Sequence, residues 1–419
     1  MDLRSKLGLY KESASMPAGP ARPERAHSEK EIDRLVPGYV ISNNFGSCYV
    51  IENKYDLSHF YGGCRLGDIL ETDSDTLAAL GGEGCAELAP DGLLFLDTET
   101  TGLSGGAGTL AFLVGVGFFA DGAYIVRQYF IRDYDEEPAM LYELQQLFTK
   151  HGNFVTFNGR AFDINLLQSR FISNRFRPRF SDDPHLDLLY PSRRVWGLKL
   201  ESCRLSSLEE NVLGERREDD IPGALIPSVY FKYLEDRNAS EIERVIRHNR
   251  LDILSMVSLL ARLSVMLKSP LSETDGGFEL LGMGRLFEAN GRTEDMLECL
   301  EACSGSEQFD IKLQAVKRLT GVYKKNGSLE RAMEHWKAVE AGNPGFELFH
   351  LVEMAKYYEH REKNFQAALP IVEKAIQKCL NTGLTGSRQL DELKKRRDRI
   401  VRKMQSAQRK ASDKYQSVP

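Results

Sequence analysis

The run Leu93-Leu94-Phe95-Leu96-Asp97-Thr98-Glu99-Thr100-Thr101-Gly102 constrains the fold more than any other stretch of the chain. Four consecutive apolar residues read as a buried strand. Asp97 and Glu99 follow at i and i+2, so both side chains leave the strand on the same side. Two adjacent carboxylates repel each other unless a proton or a cation lies between them. At the end of an apolar strand, a divalent metal is the economical partner, which makes this a candidate site for metal-dependent nuclease or phosphotransfer chemistry.

The surrounding pattern is mixed α/β. Leu93–Leu96, Leu110–Phe119 and Ala123–Ile131 read as three strands, with Asp121-Gly122 as a two-residue hairpin turn. Glu137–Lys150 is helical, with Met140, Leu141, Leu144, Leu147 and Phe148 on one face. Phe154–Phe157 is a fourth strand, and Asp163–Asn174 is a helix. Capping boxes at Ser207-Leu208-Glu209-Glu210 and Ser240-Glu241-Ile242-Glu243 predict a short helix ended by Gly214 and a long helix to about Leu267. This order is ribonuclease H-like: a mixed sheet flanked by helices, over residues 91–270. Upstream, residues 1–35 are polar and proline-bearing and are expected to lack fixed structure. Residues 36–90 are poorly defined, with short strands at Tyr39-Val40-Ile41 and Cys48-Tyr49-Val50-Ile51 and a linker at Gly81-Gly82-Glu83-Gly84.

Beyond residue 275 the chain is helical throughout. Phe287, Tyr323 and Tyr358 recur, each followed nine residues on by Met296, Ala332 and Ala367, and four further by Leu300, Trp336 and Ile371. Gly291, Gly327 and Asn364 fall in the turns. This predicts an all-α, tetratricopeptide-like helical repeat domain over 276–385. A basic helix or tail follows over 386–419, with 11 Lys/Arg against 4 acids from Arg388 onward. Such a run is either a solvated face or a contact for nucleic acid or a protein partner.

The chain has 419 residues, enough for two domains and a tail, and a net charge of −6, which does not by itself advertise nucleic-acid binding. Seven scattered cysteines without a C-x-x-C pair, an N-terminus without a secretory apolar core and no membrane-length apolar run lead to the expectation of a reduced, cytoplasmic protein that uses no membrane. Cys299 and Cys303, four apart on a helix, are read as packing.

Two further stretches complete the candidate site. Asp163 opens a helix just after the fourth strand, a place that also suits a simple helix cap. His248 and Asp252, at i and i+4, share one face of the long helix, on the shoulder of its stripe Ile242, Ile246, Ile253, Val257 and Leu260. In isolation this pair could be a surface ion pair. Together Asp97, Glu99, Asp163 and Asp252 match the acid order of the DEDD exonucleases. They would hold two Mg²⁺ or Mn²⁺ ions about 4 Å apart, with His248 as the general base.

The run His185-Leu186-Asp187-Leu188-Leu189, Arg193-Arg194-Val195-Trp196-Gly197-Leu198-Lys199, Ser207-Leu208-Glu209-Glu210, Asp219-Asp220-Ile221-Pro222-Gly223 and His248-Asn249-Arg250-Leu251-Asp252 resembles the bacterial YprB-type ribonuclease H-like DEDD exonuclease family over roughly residues 85–270. The resemblance implies a metal-dependent 3′→5′ exonuclease acting on DNA 3′ ends in repair, together with a superfamily 2 helicase. Alternatives are an RNA exonuclease with the same site, or an inactive repeat scaffold that binds a repair partner. One departure stands out. The histidine subclass spaces its last motif His-x-x-x-x-Asp and the tyrosine subclass Tyr-x-x-x-Asp; this chain has the tyrosine spacing with His248, and Arg247 at the other position is a poor base.

Candidate substrate contacts are Thr100 and Leu103 beside the glycine-rich run Gly102–Gly108, and Asn158, Asp187, Arg193 and Arg194. The glycine-rich run lacks the Gly-Lys-Ser/Thr ending of a phosphate-binding P-loop and is either a flexible loop or a backbone cradle. Asn158 either bonds a phosphate or caps a turn, and Asp187 is either a further acid near the metals or structural. Arg170, Arg175, Arg177 and Arg179 interleave with Phe171, Phe176 and Phe180. Arg193, Arg194, Trp196 and Lys199 form a second basic–aromatic group. Both suit phosphate contact with base stacking, or packing.

Overall fold

The structure, a computed structural model, describes residues 30–102, 108–177, 184–342, 347–381 and 387–416. Leu103, most of the glycine-rich run, Arg179, Phe180 and residues 1–29 lie outside these.

A seven-stranded mixed sheet forms the first part of the molecule. Its strands are β1 (Tyr39–Asn43), β2 (Gly46–Asp56), β5 (Leu93–Thr100), β6 (Ala111–Ala120), β7 (Ala123–Phe130), β8 (Asn153–Thr156) and β9 (His185–Asp187), in the order β1-β2-β7-β6-β5-β8-β9. A separate two-stranded hairpin joins β3 (Phe60–Tyr61) to β4 (Cys64–Arg65). β5, β6 and β7 are antiparallel neighbours, whereas β8 runs parallel to β5 and β9 parallel to β8. The β6–β7 turn is the expected one: Asp121 and Gly122 both take positive φ, 50° and 69°, the twist that a tight hairpin needs.

The apolar run of β5 is buried on both faces. Leu94 and Leu96 join one core and Leu93 and Phe95 the other. The first core is covered by α2 (Glu137–Lys150), α3 (Asp163–Ser173) and α5 (Ile226–Asp236). The second lies under α1 (Ser74–Gly81), α4 (Leu189–Trp196) and the C-terminal half of α6, a 29-residue helix over Ser240–Lys268.

Residues 36–90 are more ordered than their sequence suggests. β1 and β2 extend the main sheet beyond β7, and Leu66, Ile69, Leu77, Leu80, Cys85 and Leu88 sit in the second core. The glycines at 81–84 are therefore not a linker but the end of α1, where Gly82 takes φ 95°. The signal was weak because β1 is an edge strand with Tyr39 and Val40 exposed, so it shows no clean alternation.

Neither expected capping box forms. Ser207 lies within the helical turn Leu205–Leu208 and donates to the Ser202 carbonyl. The chain then passes through a π-helical turn, Glu209–Leu213, and stops at Gly214, φ 70°. Ser240 is the first residue of α6, and its hydroxyl donates to Asn238 Oδ1. Each serine hydroxyl donates to a nearby oxygen instead of accepting from the amide three residues on.

The C-terminal region is all-helical: α7 (Gly277–Ala289), α8 (Thr293–Ser304), α9 (Phe309–Lys325), α10 (Leu329–Ala341), α11 (Phe349–His360), α12 (Phe365–Asn381) and α13 (Arg388–Gln416). The repeat positions are buried in the first two units (Phe287, Met296, Leu300; Tyr323, Ala332, Trp336). In the third the turn is one residue longer, so the buried pair becomes Ala368 and Val372 in place of Ala367 and Ile371. Cys299 and Cys303 are packed in α8, and burial raises both thiols, to about 12 and about 11.

The first helical unit shares the second core with the sheet. Trp196 on α4 is fully buried and donates from its indole to Glu279 Oε1 at 3.1 Å, and Lys199 binds the same oxygen at 2.9 Å. Gly282 allows the contact, since a Cβ there would lie 2.0 Å from the Val195 carbonyl oxygen. The Trp196–Lys199 pair thus docks the repeats rather than presenting an aromatic face.

Candidate active site

The site grows from a change of strand pairing. β8 stays beside β5 only as far as Phe95, so the last half of β5 has no neighbour on that side. On the other side a bulge between Glu99 and Thr100 breaks the register with β6. Bulges of this kind re-aim side chains next to functional sites. Asp97, Thr98 and Glu99 occupy this stretch.

α6 brings the partners to one face. It crosses β6 over Gly115 and Gly117, where Cβ atoms would lie 2.1 Å from Asn249 Oδ1 and 2.6 Å from Ile253 Cγ2. The two glycines let the helix approach closely enough for Asn249, fully buried, to donate to Asp97 Oδ2 at 2.7 Å. Gln128 in turn donates to Asn249 Oδ1 at 2.8 Å, which fixes the amide orientation. On the same helix His248 and Asp252, one turn apart, face Glu99 at the end of β5. His248 Nε2 lies 4.0 Å from Glu99 Oε1 and 3.5 Å from Asp252 Oδ2. Glu99, His248 and Asp252 offer ligand atoms all within 4.8 Å of one another, the arrangement of a cation site.

Asp163 arrives from the opposite layer. It is buried at the start of α3, and its carboxylate accepts from the Thr98 hydroxyl. Since Thr98 alternates with Asp97 and Glu99, Asp163 lies against the opposite face of β5 from those two, near enough for its charge to bear on both.

Their ionisation reflects the crowding. Asp97 is held well above the ordinary carboxylate range by burial, then by the charges of Asp252 and Asp163. Glu99 is raised by burial, then by Asp97, Asp252 and Asp163. Burial raises Asp163 to about 6 against the bond from Thr98. Buried like charges pushed toward protonation are what a cation would relieve. An all-carboxylate set with one imidazole suits hard divalent ions such as Mg²⁺ or Mn²⁺.

Several residues of this site carry no role in the sequence reading. Arg217 is buried and binds both Asp252 and Glu209. Its Nη1 also reaches Asp220 Oδ2 at 3.4 Å and lies 3.2 Å from His248 Nδ1. Burial disfavours the guanidinium charge, but Asp252 and Glu209 outweigh it and raise its pKa. Glu209 also accepts from Ser255, which pairs with the Tyr61 hydroxyl at 3.2 Å, so the β3–β4 hairpin braces the site from behind. Asp220 Oδ1 lies 2.8 Å from His248 Nδ1. Glu209, Asp220 and Asn249 fall in motifs of the family resemblance, which give their positions but no role; Arg217 stands just before Asp219-Asp220 in a polar stretch without a periodic signal.

The candidate substrate contacts are dispersed. Thr100 Oγ1 donates to the Gly102 carbonyl at 2.8 Å, which steadies the base of the glycine-rich loop. Asp187 is buried and accepts from the backbone amides of Asn158 (2.8 Å), Arg160 (3.1 Å) and Leu189 (3.1 Å), so its carboxylate builds the loop after β8. That loop holds Asn158 at φ 66°. Arg193 and Asn158 line one 670 Å³ pocket with Arg204, and Arg194 lines another of 290 Å³ with Arg160. His185 is held down to about 4 by burial, against Asp187, and pairs with Thr156. In the other basic–aromatic group Arg170 is committed to Glu137, at 2.6 Å, and Phe171 to the core.

Residues 94–264 match the model of the RNase H superfamily. Over 426 aligned residues, 97% of this chain and 100% of the relative, the sequence is 29% identical to the uncharacterized protein YprB of Bacillus subtilis (strain 168).

Proposed function

We propose that this chain, a ribonuclease H-like protein of the YprB type, is a metal-dependent 3′→5′ exonuclease whose substrate is a DNA end. The observation that carries the reading is the grouping of Glu99, His248 and Asp252 within 4.8 Å of one another at the end of β5, with Asp97 two residues before Glu99 and Asp163 bonded to Thr98 between them.

Asp97, Glu99, Asp163 and Asp252 would hold two divalent cations, Mg²⁺ or Mn²⁺. Bound there, such ions supply Lewis acidity to a phosphodiester and acidify a water molecule. The protein's own groups supply orientation and proton transfer. Asn249 fixes one oxygen of Asp97 and leaves the other free to bind. Asp220 Oδ1 and Arg217 Nη1 both hold His248 at Nδ1, which leaves Nε2 turned toward Glu99 and Asp252. From there Nε2 takes a proton from the attacking water. The i, i+4 spacing of His248 and Asp252 serves this directly, because both lie on the face of α6 turned to β5.

DNA as substrate, the 3′→5′ direction, the repair role and a superfamily 2 helicase partner rest on the family resemblance. Among the described residues no helix is long and apolar enough to cross a membrane. The substrate test is digestion of matched DNA and RNA strands, labelled at either end, with Mn²⁺. The expected result is stepwise release of nucleoside 5′-monophosphates from DNA 3′ ends. Preferential loss of RNA would move the substrate to RNA, and release from 5′ ends would reverse the direction.

A further inference from the structure

The third helical unit departs from the other two at its turn. Between α7 and α8 and between α9 and α10, the residue at positive φ is glycine: Gly291 at 69° and Gly327 at 75°. In the longer turn between α11 and α12 that place is taken by Lys363, at φ 52°. A side chain with a Cβ is disfavoured there, which singles this turn out from the other two.

Lys363 stands at the mouth of a 730 Å³ pocket between the end of α11, the start of α12 and α13. The pocket gathers His360, Lys363, Arg399, Arg402 and Lys403 around the ring of Phe365, with Lys403 Nζ 5.9 Å from the ring centroid. The acid at this place, Glu359, is buried and already neutralised by Arg396 (2.7 Å), Arg399 (2.7 Å) and Lys403 (2.9 Å). Lys363 and Arg402 have no carboxylate partner among the described residues, and Arg402 donates only to the Asp398 carbonyl. The positive charge continues along the helix. Lys395, Arg402 and Arg409 are exposed and seven residues apart, a stripe with about 10 Å between steps.

We propose that this pocket and stripe form a second binding site, for a single strand of nucleic acid, with Lys363 and Arg402 on phosphates and a base against Phe365. Cations that track a backbone beside an aromatic ring are the chemistry of sequence-independent strand binding. An acidic protein surface would satisfy the charges but leave the ring of Phe365 without a partner. The inference rests on the nuclease reading for its choice of ligand, a strand that also enters the cutting site.

The test is fluorescence anisotropy of a labelled oligothymidylate about 20 nucleotides long, with a chelator present so that nothing is cut. The full chain is compared with Lys363→Glu/Arg402→Glu. The pocket variant should lose affinity by tenfold or more, and its plot of log affinity against log salt should be shallower by roughly 1.4, two phosphate contacts' worth. If the double glutamate variant is unfolded by circular dichroism, Lys363→Gln/Arg402→Gln should show a smaller loss in the same direction. Unchanged affinity and slope in a folded variant would overturn the proposal. So would equal competition by polyglutamate at matched charge, which would assign the pocket to an acidic protein. Failure of the nuclease reading would appear instead as absent digestion with binding intact.

Discussion

Gly115 lies directly beneath Asn249: a Cβ on the glycine would sit 2.1 Å from the asparagine Oδ1. The pair sets the depth at which α6 crosses the sheet, and thereby the reach from Asn249 to Asp97, 2.7 Å. Gly115→Ala should cost about 1–3 kcal/mol by overpacking a buried contact. It should also lower cleavage by on the order of 100-fold, because a displaced ligand is a misplaced reaction centre. Urea denaturation and a cleavage assay on the same preparation check both. A stable, fully active variant would show that the helix can yield without moving Asp97.

The acid cluster makes stability depend on pH in an unusual direction. Asp97 and Glu99 are raised by burial and by their neighbours' charges, and Asp163 is raised by burial to about 6. A carboxyl that is harder to ionise in the folded state stabilises at low pH. That contribution is lost as pH climbs from the ordinary carboxylate range through about 6 and above. The metal-free protein should therefore melt lower at about pH 8 than at about pH 5.5, and Asp97→Asn should flatten the fall. Mn²⁺ should raise the melting temperature more at the higher pH, with proton release on binding. Calorimetric titration in two buffers of different ionisation enthalpy measures it.

Arg217, its side chain buried, bridges Glu209 and Asp252. Arg217→Met leaves both carboxylates without it and should cost about 3–5 kcal/mol. Pairing it with Glu209→Leu should recover part of that. Saturating Mn²⁺ should shrink the cost of the single variant, since the ion then compensates Asp252. Urea denaturation of the three proteins with and without Mn²⁺ gives the cycle, and a cost independent of the ion would separate Arg217 from the metal site.

Much of this was legible in the chain because it is written in local pattern. The β5 run, the Asp121-Gly122 hairpin and the span of α2 each follow from a few adjacent residues. The candidate positions Asp97, Glu99, Asp163, His248 and Asp252 stood out for the same reason: acids are conspicuous at the end of an apolar strand or on a helix shoulder. What was not legible depends on contacts between distant segments. Arg217 sits in a polar stretch, and only folding places it against Asp252, 35 residues away. The Trp196–Lys199 group looked like a stacking surface because nothing local reveals Glu279 opposite it. The shift in the third repeat came from one extra turn residue, which a fixed period cannot register.

The docking of the repeats on the first part of the chain is tested at Gly282. Any side chain there meets the Val195 carbonyl, which is backbone and cannot move aside. Gly282→Ala should destabilise by about 1–3 kcal/mol. It should also expose Trp196, read as a red shift in fluorescence before global unfolding. An unchanged spectrum and stability would mean that the two regions separate freely.

The central claim is that the four acids form one metal-dependent cutting site. It is tested most directly by digestion of 3′-labelled single-stranded DNA by the parent protein and Asp97→Asn, each with Mn²⁺ and with a chelator. The parent should release nucleoside 5′-monophosphates only with Mn²⁺, and the variant should be slower by on the order of 1000-fold or more while remaining folded. Comparable digestion by the variant, or digestion by the parent in the chelator, would contradict the assignment.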